Sequence, residues 1–507
     1  MHLLLLLALA TQGPVLTPRD SAFHALNRLA YGARPGEADS VARFGVIKWI
    51  ERQLDAEHVS DSRLAVRERE FKILDYDRAD LAGRYRNAMR ERQRMQREGG
   101  FGPMREFREL GGELQQLAIV RAALSERQLR EVMVDFWTNH FNVFVGKGAD
   151  RFLLPSYIEQ TIRPRALGRF EDLLIATAES PAMLFYLDNA QSVAPGSAPP
   201  RPLPSMFARR RFGMNETNED RRRRPTGINE NYARELLELH TLGVDGGYTQ
   251  QDVIAVARIF TGWSIEPPDR GAGFVFRDWA HDHGTKHVFG LTFHDDGQDE
   301  GVQLLKFLAN QHATMHHVSA KLCARFVADE PPDGCIDAAV AAWQKTHGDI
   351  RAVLRAIFTS PDFWSAQAVR SKVKTPFEFV VSAVRATGVE PDSTPRLAQV
   401  IARLGEPLYQ QPAPTGYAET EAHWVNSGAL LARMNAAIAI AKECSTIPAL
   451  DDHAQLVDVI DQRLLGGTMS AHTKAVILEQ LADINDPIQA RSLAVGLAIG
   501  GPDFQKQ

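Results

Sequence analysis

Apolar residues recur three and four positions apart along almost the whole chain, from residue 22 to residue 498, which is the spacing of helices that bury one face. Phe23, Leu26 and Ala30 share one side of a first helix, and a second opens at Pro35-Gly36-Glu37 and carries Val46, Ile47, Trp49, Ile50 and Leu54. Residues 125–144 carry a stripe of Leu129, Val132, Met133, Phe136 and Trp137. Further helices are predicted over 229–242, 249–261, 301–308, 315–326, 336–345, 349–358, 376–386 and 397–404. Residues 63–98 are polar and charge-rich with a sparse apolar stripe, which predicts one solvated helix or a helical hairpin arm, ended by the Gly/Pro cluster at 99–103. The period changes only at Phe274-Val275-Phe276 and at residues 288–293, which flank a polar stretch and read as a β-hairpin. The expected fold is therefore mainly α, a multi-helix globular fold with one small β-hairpin insertion.

With 507 residues, 44% of them hydrophobic, the chain can bury a large core without disulfide staples. A net charge of −5 argues against a dedicated nucleic-acid binder, which shows a basic stripe. No apolar run reaches the 18 residues that a membrane-spanning helix needs. Residues 1–13 form a signal-like start, apolar through Ala10, with Ala8-Leu9-Ala10 matching a small-x-small cleavage pattern. This predicts an exported protein, periplasmic or extracellular. Residues 14–500 are expected to form a single helical domain. It is interrupted by a Pro/Arg-rich loop at 194–225, whose arginine runs are read as solvated rather than as docked on an anionic polymer. Of the three cysteines, Cys323 and Cys335 are spaced for a bridge, but small buried thiols are the preferred reading for all three.

Three clusters hold the residue types that do chemistry. In the helix over 229–242, Asn231, Glu235 and Glu238 fall at i, i+4 and i+7, beside an apolar stripe of Ala233, Leu236, Leu237 and His240. Two carboxylates one turn apart repel each other unless an arginine, another cation or a metal lies between them. Arg234 and Arg258 are the candidate arginines. A packing network of carboxylates and arginine is the preferred reading, and a metal or acid/base site is its rival. The second cluster is Phe136 to Val143, where Asn139, His140 and Asn142 sit among bulky apolar groups and must find partners once buried. His140 is either a satisfied core histidine or a group aimed at Glu235. The third is the predicted hairpin tip, since seven of the 16 histidines lie between His281 and His317. His281, His283 and His287 accompany Asp282 there, as metal or base donors or as a polar tip facing water. Arg370, Lys372 and Lys374 precede Pro376 and are read as surface charge in preference to an anion site. Nucleophile-elbow, Walker, GxGxxG, HExxH and CxxCH motifs are missing, which argues against α/β serine hydrolases, P-loop ATPases, Rossmann dehydrogenases, zincins and c-type cytochromes.

Taken together, several segments resemble the bacterial family catalogued as domain of unknown function 1800. They are His24 to Gly32, Phe136 to Val143, Met183 to Asn189, Gly227 to Thr249, Thr261-Gly262-Trp263, His281-Asp282, Lys286, Ser360 to Trp364, Lys372 to Pro376 and Trp424-Val425-Asn426. The resemblance implies an exported, mainly helical protein whose genes commonly neighbour those of a sulfatase/phosphatase-like family of unknown function. Thr138 stands where similar proteins often carry histidine, which removes one potential metal ligand. The expected function is a metal-assisted or acid/base enzyme of hydrolase type acting on an extracellular or periplasmic substrate. Glu235, Glu238, His140 and Asp282 are the expected catalytic groups, and Arg234, Lys286, Asn231 and Trp137 the substrate-binding groups. His240 and His281 would be ligands to a divalent metal. The rival is a non-enzymatic helical scaffold, a partner for a companion exported sulfatase/phosphatase-like protein.

Overall fold

Helices start where side chains can satisfy the free N–H groups of a first turn. Thr17, Asp77, Thr249 and Thr375 each accept from the backbone three residues on, and the acidic residue there reaches back in return. The computed structural model describes residues 16–98, 105–197, 227–267 and 271–507, with the side chains of 105–108 left aside. The expected signal-like start and most of the Pro/Arg-rich loop lie outside the described residues.

The Asp77 cap explains one departure from the sequence reading. The polar stretch at 63–98 is not one helix. It divides into Ser62–Glu68, a 3-10 turn Lys72–Asp75 and Arg78–Arg97, because Phe71 and Ile73 turn inward and a new helix begins at Asp77. The helix expected from Pro35 through Leu54 also divides, into Glu37–Phe44 and Val46–Leu54, because Gly45 between them stands at φ 99°. Other expected helices form with small changes at their ends: Gln128–His140, Gln250–Ile259, Gln298–Ala309, His312–Phe326, Asp333–Thr346, Ile350–Thr359, Pro376–Thr387 and Arg396–Arg403.

The β structure is two short antiparallel ribbons rather than one hairpin. Phe274–Phe276 pairs with Trp263–Ile265, and Lys286–Val288 pairs with Leu291–Phe293. The second ribbon closes through Phe289-Gly290, both with positive φ (52° and 77°), the type I′ turn that suits strand twist. Phe274–Phe276 takes the nearer upstream partner because Trp263 is buried there against Phe260 and Phe274.

A continuous apolar core runs from Ala22 to Phe504. Distant parts of the chain close on it. Arg19 donates to the carbonyls of Gly466 (2.6 Å) and Gln462 (3.0 Å), and Val373 bridges antiparallel to Lys506. Helices Ser427–Ala441 and Pro487–Gly500 approach so closely that a Cβ at Gly496 would lie 3.0 Å from the Ile438 Cα. Arg370, Lys372 and Lys374, expected at the surface, instead hold the segment at 500–507 and its neighbours. Arg370 donates to the Thr468 carbonyl and to Asp503, Lys372 pairs with Asp329, and Lys374 donates to the Phe504 carbonyl. Cys323 and Cys335 are bonded to each other, against the preferred reading of buried thiols, while Cys444 is a buried free thiol. Helices His312–Phe326 and Asp333–Thr346 fold back on each other and bring the two Cα atoms to 6.3 Å, within disulfide reach.

Candidate functional site

The segment after Gly227 is fixed by its asparagines. Asn229 donates to the Asp188 carbonyl and takes the Asn231 N–H, and Asn231 donates to the Leu187 carbonyl. An α-helix runs over Asn231–Glu235 and then widens into a π turn, Leu236–His240. Such turns are rare and recur at functional sites. The Thr241 hydroxyl donates to the Leu236 carbonyl at the end of the turn, and Gly243 at φ 85° carries the chain away. Ala233, Leu236, Leu237 and His240 are buried, as the stripe predicts.

Glu235 and Glu238 stand half-buried on the other side of this segment. Neither candidate arginine reaches them. Arg234 pairs with Glu230 at 3.3 Å and donates to Gln250, and Arg258 grips Asp282 with two bonds of 2.7 and 3.0 Å. Among the described residues the two glutamates have no ion pair, so the arginine–carboxylate network preferred from sequence is not formed here. Burial, followed by the Glu238 charge, pushes the Glu235 carboxyl above its ordinary range. Two phenols face the pair. Tyr186 is pushed up by burial and then by Glu235, and Tyr248 by burial and then by Glu238. The Tyr186 hydroxyl donates to the Pro412 carbonyl at 2.8 Å, while Asn142 donates to the carbonyls of Gln411 and Ala413 and holds the same loop.

Behind Tyr186 lies Asp150, fully buried, with neither carboxyl oxygen hydrogen-bonded. Burial, opposed in part by the Lys147 charge, drives its pKa well above the ordinary carboxylate value. Lys147 donates to the Tyr186 carbonyl and pairs with Asp188 at 2.7 Å. The sequence reading did not select Lys147 or Asp150, and Tyr248 carried a signal only as part of Gly227 to Thr249. Tyr186 and Asp188 carried a signal only as part of Met183 to Asn189.

On the far side of the π turn, His140, His240 and His317 gather. The His140 ring lies 6.2 Å from that of His240 and 6.4 Å from that of His317. His140 Nε2 meets the His240 carbonyl at 3.3 Å, and His317 Nε2 meets the Leu239 carbonyl at 3.2 Å. Burial, reinforced by the neighbouring Lys321, holds all three imidazoles below their ordinary pKa, His240 at about 3. They are neutral, and His140 Nδ1 and His240 Nε2 have no partner. His140 thus faces a carbonyl, and none of its bonds reaches Glu235.

The hairpin cluster forms a separate network. Lys286 pairs with Glu300 at 2.7 Å, both fully buried, and His281 lies 3.4 Å from the same carboxylate and 2.9 Å from the Thr261 carbonyl. With Asp282 held by Arg258, these groups fasten the ribbon to helices Gln250–Ile259 and Gln298–Ala309. Among the described residues none of their bonds reaches His140, His240, Glu235 or Glu238. Lys286 and Asp282, expected to meet substrate or move protons, are spent on internal ion pairs, and the expected single meeting point of three clusters is not formed. His283 and His287 are exposed. Trp137, expected to touch substrate, is core: it is fully buried and donates to the Ala166 carbonyl at 3.0 Å. Asn231 and Arg234 remain at the rim beside Glu235. Among the described residues no three histidine, cysteine, aspartate or glutamate side chains are grouped to hold a metal, and no helix is long and apolar enough to cross a membrane.

The family model described as "Protein of unknown function (DUF1800)" matches residues 24–506. No curated protein and no solved structure matches the chain.

Proposed function

The chain belongs to the DUF1800 family, and we propose that it is an exported acid/base enzyme of hydrolase type whose proton-transferring groups are Glu235 and Glu238. One observation carries this reading: two half-buried carboxylates on one turn, with no cation paired to either among the described residues, beside the buried Tyr186 and the half-buried Tyr248. A carboxylate pair that serves only packing is normally neutralised by arginine or lysine, and the arginines within reach are committed elsewhere. Mutual repulsion favours one shared proton. Glu235, whose pKa is raised, supplies the proton to a leaving group, and Glu238 takes one from the attacking nucleophile. Tyr248 hydrogen-bonds Glu238 and orients it, Tyr186 packs beside Glu235, and Asn231 and Arg234 flank the approach. His240 and His281 lie in different networks, so no step is assigned to a metal. Export rests on the Cys323–Cys335 bridge, because stable disulfides belong to oxidising compartments.

The test is a panel of chromogenic phosphate, sulfate, glycoside and acyl esters offered to the purified protein between pH 4 and 9. Hydrolysis that is unaffected by EDTA and lost in both Glu235→Gln and Glu238→Gln, with melting unchanged, supports the reading. Activity that survives both substitutions overturns it. A folded protein inert across the whole panel favours the scaffold role.

A further inference from the structure

Beside the first turn of helix Gln128–His140, at the end away from His140, opens a cleft of about 490 Å³. Four arginines line it: Arg121, Arg127, Arg130 and Arg163. Two are fully engaged. Arg121 pairs with Glu68 at 2.7 Å and Glu159 at 2.5 Å, and Arg163 grips Glu131 with bonds of 2.9 and 2.7 Å. The other two are open. Arg127 uses only its Nε, on the Val59 carbonyl at 2.8 Å. Arg130 has no hydrogen bond or ion pair among the described residues, although it is half-buried. The remaining carboxylate of the cleft, Asp61, lies within electrostatic reach of Arg127 but forms no ion pair with either arginine among the described residues. It accepts from the Ser125 hydroxyl at 2.6 Å and the Glu126 N–H at 2.9 Å.

An unpaired, half-buried guanidinium among three others is unfavourable. Burial and then the charges of its arginine neighbours push its pKa below the ordinary value, with Glu131 opposing them only in part. A surface that keeps such a group open has the donor geometry for an anion. Arg127, the N-cap residue, and Arg130 in the first turn both line the cleft, and planar guanidinium forks match the paired oxygens of phosphate and sulfate. Ser60 and Ser62, exposed at the mouth of the cleft, add hydroxyl donors. We propose that this cleft is a binding site for a phosphate or sulfate group, held by Arg127 and Arg130. It is distinct from the Glu235 site, none of whose residues line it.

Isothermal titration of the whole protein with inorganic phosphate, and separately with sulfate, at ionic strength matched by sodium chloride, tests the proposal. The expected result is saturable binding of at least one of the two, weakened about tenfold or more by Arg130→Ala and by Arg127→Ala. The anion that binds more tightly identifies the class of ester. Arg130 has no hydrogen bond or ion pair among the described residues, so Arg130→Ala should melt at or above the wild-type temperature in anion-free buffer, which separates lost binding from lost folding. Saturable heat missing from the wild type for both anions overturns the proposal. So does equal affinity in the wild type and both variants.

Discussion

Glu235 is a carboxylate that the fold leaves under repulsion, and its chemistry dictates how a substitution should read out. Its folded-state pKa is raised, so its contribution to stability is present below the ordinary carboxylate value of 4.5 and is lost as pH rises through the folded value. Glu235→Gln is therefore expected to melt at the wild-type temperature at pH 4 and at or slightly above it at pH 8, with hydrolytic activity gone. A drop of several degrees at pH 8 would mean that the carboxylate holds the fold together. Glu406 permits a stronger test of the same logic away from the site. It is buried beneath the Phe377 N–H, which donates to it at 2.7 Å, and burial with the nearby Asp135 pushes it up to about 8. Stability from this group is complete below pH 4.5 and falls by up to about 1.4 kcal/mol per pH unit until pH 8. Melting curves of Glu406→Gln should coincide with wild type at pH 4 and lie clearly above it at pH 9.

At the level of elements, the apolar periodicity placed most helices, because burying a stripe is a local property of sequence. Residues 315–326 and 349–358, for example, each needed only small end corrections. What escaped was set by partners far along the chain. Phe274–Phe276 was recognisable as a strand, but its pairing with Trp263–Ile265 depends on where Trp263 is buried. The i, i+4, i+7 pattern put Glu235 and Glu238 together, yet nothing local showed that Arg258 would choose Asp282. Asp150 carried no signal, since its lack of a partner is a property of the packed state. The pairing of Cys323 with Cys335 likewise depends on two helices folding back on each other. A bridge closing a loop of this length contributes about 3 kcal/mol. The double variant Cys323→Ser, Cys335→Ser should thus melt several degrees lower, and non-reducing peptide mapping should recover the 323–335 pair from the wild type.

For the molecule as a whole, the contacts that close the core join residues more than a hundred positions apart, Arg19 to Gly466 and Val373 to Lys506 among them. Their consequence is kinetic. Closing such separations costs loop entropy before any contact repays it, so folding should be slow and should pass through partly collapsed states. Refolding from denaturant is expected to be multiphasic. Arg19→Ala should accelerate unfolding while leaving the main refolding phase unchanged, as for a contact made after the rate-limiting step; stopped-flow traces of both limbs check this. A nascent chain that lacks its last hundred residues leaves Arg19 its nearby partner Asp39 but not the Gln462 and Gly466 carbonyls that close the core. Slow closure of this kind would keep a polypeptide threadable through a narrow translocation channel until synthesis is finished, and would leave chaperones on the near side only a chain to hold open, with no finished domain to unfold.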